Sequence, residues 1–253
     1  MRLRAVRLVI VVLAGILIGI GVLAVVAEVT RPQRTTQIHD PPVLAGQHLW
    51  GYCSGGFYAR LDETIVLTSS GHCALEGTVA TAPDGATVRG VFGPPARSQT
   101  CPHEGKKCAA SDINFLVVEP DQIPWGRLNL VDLGVGGYRT IAPGTEALSC
   151  GDVALNDPVE INGRDSYRSG TVVEKGENNY PEDGDYFPCM IAATIRVGTG
   201  DSGGAVLVDG LPGGVTSRSF GGHLGFTPLA EGLEELGLEL CTEPDCGLTP
   251  PTR

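Results

Sequence analysis

Apolar and polar positions divide the chain into one long hydrophobic block followed by many short ones. Residues 8–27 form an uninterrupted apolar run of 20 residues, led by Arg2, Arg4 and Arg7 and followed by Glu28, Arg31 and Pro32. A helix rises about 1.5 Å per residue, so this run matches a hydrocarbon core of roughly 30 Å. Beyond it, β-favouring runs at 64–68, 87–92, 113–118, 170–173 and 205–208 alternate with Gly, Pro, Asp and Asn. Such spacing predicts an all-β barrel or sandwich rather than βαβ units. One helix is predicted near the end, with Thr227 as N-cap, Pro228 in its first position, Leu229, Leu233 and Leu236 on one face, and Gly237 as the stop. Its expected role is packing.

Size and charge refine this picture. The 253 residues, 42% of them hydrophobic, can bury one substantial core, and 36 glycines suit short strands joined by tight turns. Residues 28–48, with Arg31-Pro32 and Asp40-Pro41-Pro42, are expected to be an extended tether. The chain beyond this segment is expected to divide into residues 49–130 and 131–253, with the connection over 124–137. The formal net charge is −11, yet the first 34 residues carry five arginines against Glu28, a local +4 that leaves −15 for the remainder. An acidic unit repels phosphate, which argues against nucleic acid as a partner. Cytoplasmic arginines ahead of the apolar run direct the downstream chain out of the cytoplasm. Residues 8–27 therefore serve either as a signal anchor in the membrane or as a signal peptide cleaved near Ala27. Eight cysteines then read as disulfides, with 105 possible pairings. Cys101-Pro102-His103 through Cys108 could instead hold a metal, but no second Cys or His pair stands nearby at metal-site spacing.

The chemistry concentrates in three segments. Gly198-Thr199-Gly200-Asp201-Ser202-Gly203-Gly204 supplies a serine; Leu67-Thr68-Ser69-Ser70-Gly71-His72-Cys73 supplies an imidazole; Ser111-Asp112-Ile113-Asn114-Phe115-Leu116 supplies an acid. A serine hydroxyl is a weak nucleophile near neutral pH and needs a base to take its proton and a carboxylate to hold that base's tautomer. The order His, Asp, Ser provides all three. Asp121 and Asp132 are possible substitutes for Asp112. The glycines flanking Asp201-Ser202 allow a tight turn in which the N–H groups of Gly200 and Ser202 face a developing oxyanion.

These segments and their order resemble the chymotrypsin-like (trypsin-fold) serine proteases, particularly the small secreted bacterial branch, over roughly residues 49–240. The resemblance implies two Greek-key β-barrels with a C-terminal helix, here preceded by the N-terminal apolar helix, with catalysis in the cleft between the barrels. It implies hydrolysis of polypeptides through an acyl-enzyme by His72, Asp112 and Ser202, with no cofactor or metal and a monomeric enzyme. A catalytically silent peptide-binding module and an esterase are the alternatives. Family pattern and proximity pair Cys53 with Cys73, Cys101 with Cys108, Cys241 with Cys246, and Cys150 with Cys189. In relatives activated by cleavage, the acid before the serine pairs with a new N-terminus. The nearest counterpart here, Val43-Leu44-Ala45-Gly46, stands too close to Cys53 to reach Asp201. A buried carboxylate needs a cation, and Asn162-Gly163-Arg164 resembles the segment that supplies it, making Arg164 the expected partner and Arg139 the reserve. The pocket is expected beside Arg196, Ser217, Arg218 and Ser219. Arg196 occupies the position where basic specificity requires an acid, so an acidic substrate residue is compatible with this pattern. Ser217 to Ser219 would pair with substrate backbone as an added strand.

Overall fold

Among the described residues, thirteen strands form the two main sheets. The computed structural model describes residues 42–50, 53–82, 87–97, 107–164, 167–180, 185–220 and 222–251. The apolar run over 8–27, most of the segment after it, and Cys101 lie outside the described residues. Among the described residues no helix is long and apolar enough to cross a membrane.

The first half contributes β1 (Tyr58–Leu61), β2 (Thr64–Ser69), β3 (Val79–Thr81), β4 (Val88–Phe92), β5 (Lys107–Cys108) and β6 (Asn114–Val118). The second contributes β7 (Pro158–Asn162), β8 (Tyr167–Tyr180), β9 (Asp185–Ala193), β10 (Ala205–Val208), β11 (Leu211–Phe220), β12 (His223–Pro228) and β13 (Glu239–Leu240). The five runs of apolar residues read from the sequence all fall within these strands or within one residue of them. β2 is buried from Ile65 to Ser69, with Ile65, Val66 and Leu67 in the core and the Thr68 and Ser69 hydroxyls hydrogen-bonded to the Phe57 N–H and the Ser54 carbonyl. Its hairpin with β1 turns through Asp62, at φ 53°, and the β10–β11 hairpin turns through Asp209-Gly210, both at positive φ. Aspartate and glycine tolerate that conformation.

The first sheet has the order β13-β1-β2-β6-β4-β3. The second runs β8-β7-β10-β11-β12-β9-β5, and an additional β8–β9 pairing closes six of its strands on themselves. Two short strands cross between the halves: β5 lies parallel to β9 in the second sheet, and β13 pairs with β1 in the first. One buried cluster runs from Phe57, Leu67 and Leu116 to Leu207, Val215 and Leu229, uniting both sheets and the helix. A second, with Ile161, Ile191, Val206 and Phe226, fills the closed barrel.

Residues 43–47, the end of the segment expected to be a tether, are packed rather than extended in solvent, because Val43, Leu44 and Ala45 are apolar and buried. Ala45 bridges Val131 and its carbonyl accepts the Asp132 N–H at 2.8 Å, while the Tyr58 hydroxyl donates to the Val43 carbonyl. The expected connection over 124–137 contains the strand Leu130–Asp132, paired with Tyr138–Thr140.

Helix α1 covers Leu229–Leu236 and stops at Gly237, which adopts the left-handed conformation at φ 66°. Leu229 and Leu233 are buried and Leu236 packs beside them. The N-terminus differs from expectation: Pro228 is the N-cap, and Thr227 remains in β12. The Thr227 hydroxyl is engaged elsewhere, as the acceptor of the Asp112 N–H at 3.2 Å.

Candidate active site

His72 lies just past β2, on a turn tied down from both sides. The disulfide Cys53–Cys73 anchors the next residue, the Ser69 hydroxyl donates to the Ser54 carbonyl at 2.9 Å, and the Ser70 hydroxyl donates to the Thr216 carbonyl at 2.5 Å. Asp112 stands just before β6, buried at 5% exposure, where its carboxylate meets His72. Oδ1 accepts the His72 main-chain N–H at 3.1 Å, and Oδ2 lies 2.7 Å from His72 Nδ1. The Ser217 hydroxyl donates to the same Oδ2 at 2.5 Å. A carboxylate oxygen can only accept, so Nδ1 carries the proton and Nε2 presents a lone pair. Ser202 Oγ sits 3.0 Å from that Nε2 and 3.3 Å from the Ser217 carbonyl.

Burial pushes the Asp112 carboxyl upward, but hydrogen bonds from His72 and Ser217 and the charges of His72 and Arg218 outweigh it and hold the group below the usual carboxylate range. The acid is therefore ionised wherever it faces the imidazole. The reserve candidates lie elsewhere: Asp132 accepts from the Gln47 amide at 2.6 Å and the Gly134 N–H at 2.7 Å, and Asp121 is exposed in a 3-10 turn.

The serine turn is held by groups distant in sequence. Ser54 donates its N–H to the Ser202 carbonyl and its hydroxyl to the Gly200 carbonyl, each at 2.7 Å, and Gly203 N–H donates to the Thr216 carbonyl at 2.7 Å. Gly200 adopts φ +102°, open to glycine and strained for other residues. Among the described residues, no acceptor takes the N–H of Gly200 or Ser202. These are the two donors expected to face an oxyanion.

Asp201 corrects one expectation. Its cation is Arg168, whose Nη2 lies 2.7 Å from Oδ1, and Arg164 contributes its main-chain N–H to the same oxygen at 2.9 Å. Gly198 N–H completes the set on Oδ2 at 2.8 Å. The reason is strand geometry: Arg168 is on β8 opposite Ile161, on the inward face it shares with Val172, whereas Arg164 sits in the preceding turn. Gly163 makes room, since a methyl group there would collide with both the Asp201 carboxylate and the Arg168 guanidinium. The reserve, Arg139, pairs instead with Glu160 at 2.7 Å.

A cleft of about 630 Å³ opens beside Ser202, lined by His72, Val197-Gly198-Thr199 and Thr216-Ser217-Arg218-Ser219. Arg196 stands outside that lining: it is exposed, and its carbonyl accepts from Arg168 Nη1 at 2.5 Å. On β11, opposite β12, Ser217 is the extra residue of a bulge between Thr216 and Arg218. Bulges re-aim side chains, and this one directs the Ser217 hydroxyl at Asp112. Three disulfides lie wholly among the described residues, Cys53–Cys73, Cys150–Cys189 and Cys241–Cys246. Cys108 is also disulfide-bonded, and its expected partner, Cys101, is outside the described residues.

No protein-family model and no curated protein matches the chain. Among solved structures it resembles a glutamic acid-specific serine protease that uses a histidine triad in substrate binding, at 24% identity and a TM-score of 0.59, covering 78% of this chain and 100% of that one. The fold is chymotrypsin-like. Thermobifida fusca protease A is similar at 23% identity and a TM-score of 0.57, over 78% of this chain and 97% of the other. Cellulomonas bogoriensis chymotrypsin is similar at 22% and 0.56, over 79% and 98%. At these identities the likeness establishes the chymotrypsin-like fold and nothing finer.

Residues missed in the sequence are Arg168 and Ser54, and Thr227 was read as a helix cap rather than as the acceptor of the Asp112 N–H. Arg168 had no decisive signal, since adjacent Val172 and Val173 leave open which face of the strand is inward. Ser54 and Thr227 had none, since their partners are more than a hundred residues away.

Proposed function

We propose that the protein is a serine endopeptidase acting outside the cytoplasm. The observation carrying this reading is the continuous contact from Asp112 through His72 to Ser202, at 2.7 Å and 3.0 Å. In the proposed reaction, Ser202 Oγ attacks the scissile carbonyl carbon while its proton passes to His72 Nε2. The carbonyl oxygen becomes an oxyanion facing the N–H groups of Gly200 and Ser202. As the tetrahedral intermediate collapses, the C–N bond breaks and His72 gives its proton to the departing amine. Water, deprotonated by His72, then cleaves the acyl-enzyme and restores the serine. Asp112 holds the Nδ1–H tautomer and stabilises the imidazolium throughout.

In this reading, residues 1–27 direct export, as an anchor or a cleaved signal, the segment after them as far as the packed residues 43–47 tethers the enzyme, and residues 49–130 and 131–253 form the two catalytic halves. Extracytoplasmic placement is supported by the disulfides, which form and persist in oxidising compartments.

A fluorophosphonate probe should label Ser202, and Ser202→Ala should abolish labelling and lower peptide hydrolysis by on the order of 10⁴-fold or more. Absence of labelling in folded protein would make the site a silent peptide-binding module. Turnover of esters without peptides would make it an esterase.

A further inference from the structure

The segment that carries Asp112 is held by elements of the other half of the molecule. Between β5 and β6, main-chain donors are taken one after another by residues distant in sequence. Ala109 N–H goes to the Tyr186 carbonyl of β9 at 3.2 Å, Ala110 N–H to Glu235 Oε2 of α1 at 2.9 Å, and Asp112 N–H to the Thr227 hydroxyl at 3.2 Å. Helix α1 therefore presents a polar side chain, and not only its apolar face, to the chain two residues ahead of the acid. Gly232, three residues before Glu235 and on the same side of the helix, lies against the same segment. A methyl group there would stand 2.6 Å from Ile113 Cγ2 and 3.0 Å from Ser111 Cβ. Glycine weakens a helix interior, and this close approach accounts for it. A cavity of about 170 Å³ borders Ser111, Asp112 and Ile113, and its described lining includes no residue of α1. The segment thus has the helix against one side and open space against another, and the Ala110 hydrogen bond to Glu235 opposes displacement into that space.

Resting on the peptidase reading above, we infer that Glu235 is a positioning residue: from helix α1 it fixes the segment 109–112, and with it the Asp112 carboxylate against His72. That carboxylate tolerates little movement, because its Oδ2 meets both His72 Nδ1 at 2.7 Å and the Ser217 hydroxyl at 2.5 Å. Glu235 is absent from the described lining of the cleft beside Ser202, so its effect belongs to turnover and not to substrate binding. A helix whose apolar spacing accounts only for packing then takes part in orienting the imidazole.

The test measures kcat and KM on one peptide, together with the rate of Ser202 labelling by a fluorophosphonate probe, at a temperature well below the melting point of each variant. Glu235→Ala should lower kcat and the labelling rate by about 3- to 10-fold with KM unchanged, the size expected when one hydrogen bond orienting a catalytic group is lost. Glu235→Gln, which keeps an acceptor for the Ala110 N–H, should recover most of that loss. In an Asp112→Asn background the Glu235→Ala effect on the labelling rate should vanish, because no carboxylate is left to position; a structural role unconnected with Asp112 would give the same fold-loss in both backgrounds. Gly232→Ala disturbs the same segment without touching Glu235 and carries the same comparison should Glu235→Ala not fold. Unchanged kcat in Glu235→Ala, a loss that appears in KM instead, or equal losses with and without the Asp112 carboxylate each overturn the inference. Failure of the underlying reading looks different, since the unsubstituted protein would then neither label at Ser202 nor cleave any peptide.

Discussion

At the scale of single residues, the most consequential arrangement is the set of donors around two carboxylates. Ser217 donates to Asp112 Oδ2 alongside His72. Ser217→Ala removes a hydrogen bond to a buried charge, worth about 1.5–3 kcal/mol, and should lower kcat by about 10-fold with little change in KM. Steady-state kinetics on a peptide substrate will read this. Arg168→Met leaves Asp201 buried without its cation and should destabilise the fold by about 3–5 kcal/mol, measurable by urea unfolding. Arg164→Ala keeps the main-chain N–H at Asp201 and should cost less. The comparison shows where sequence reasoning stops. Asn162-Gly163-Arg164 pointed to the correct neighbourhood, but the choice between arginines four residues apart depends on which lies on the inward face of β8. That is set by pairing between strands and cannot be read from the local motif.

At the scale of elements, the His72 turn depends on the Cys53–Cys73 staple, which spans 20 residues. Replacing both cysteines by alanine should cost about 3 kcal/mol by loop-closure entropy and should reduce activity further by freeing the imidazole. A melting curve combined with Ser202 probe labelling separates the two effects. Helix α1 provides a pH-dependent counterpart. Burial raises the Glu235 carboxyl above its ordinary value, although the Ala110 N–H donated to it works in the opposite direction. Its favourable contribution is therefore present below about pH 4.3, the unperturbed value for glutamate, and is lost as pH rises through the raised folded value. Glu235→Gln keeps the acceptor for Ala110 and should raise Tm at neutral pH, with the gain disappearing near pH 4. Five of the strands and this helix were legible because apolar spacing reports burial directly. The cap was not: Thr227 has the chemistry of an N-cap, but the Asp112 N–H, 115 residues away in sequence, claims its hydroxyl.

At the scale of the whole molecule, acid should unfold the protein partly through the candidate site itself. Asp112 is held below its ordinary range, so its stabilisation is present above about pH 3.9 and is lost as pH falls through the lower folded value. Asp112→Asn should flatten that acid limb, as thermal melts at decreasing pH will show. The all-β character was legible from strand spacing, the division into two sheets only through the family resemblance, and the His, Asp and Ser segments from their local sequences. The crossing of β5 and β13 into the opposite halves was not, because two-residue strands leave no periodic trace. That crossing determines how the molecule can form. The strand flanking β1 in the first sheet is supplied by residues 239–240, so a chain synthesised from its N-terminus cannot finish its earliest sheet until residue 240 has emerged. The first half must wait, incomplete and with an unpaired edge, for a partner about 180 residues downstream.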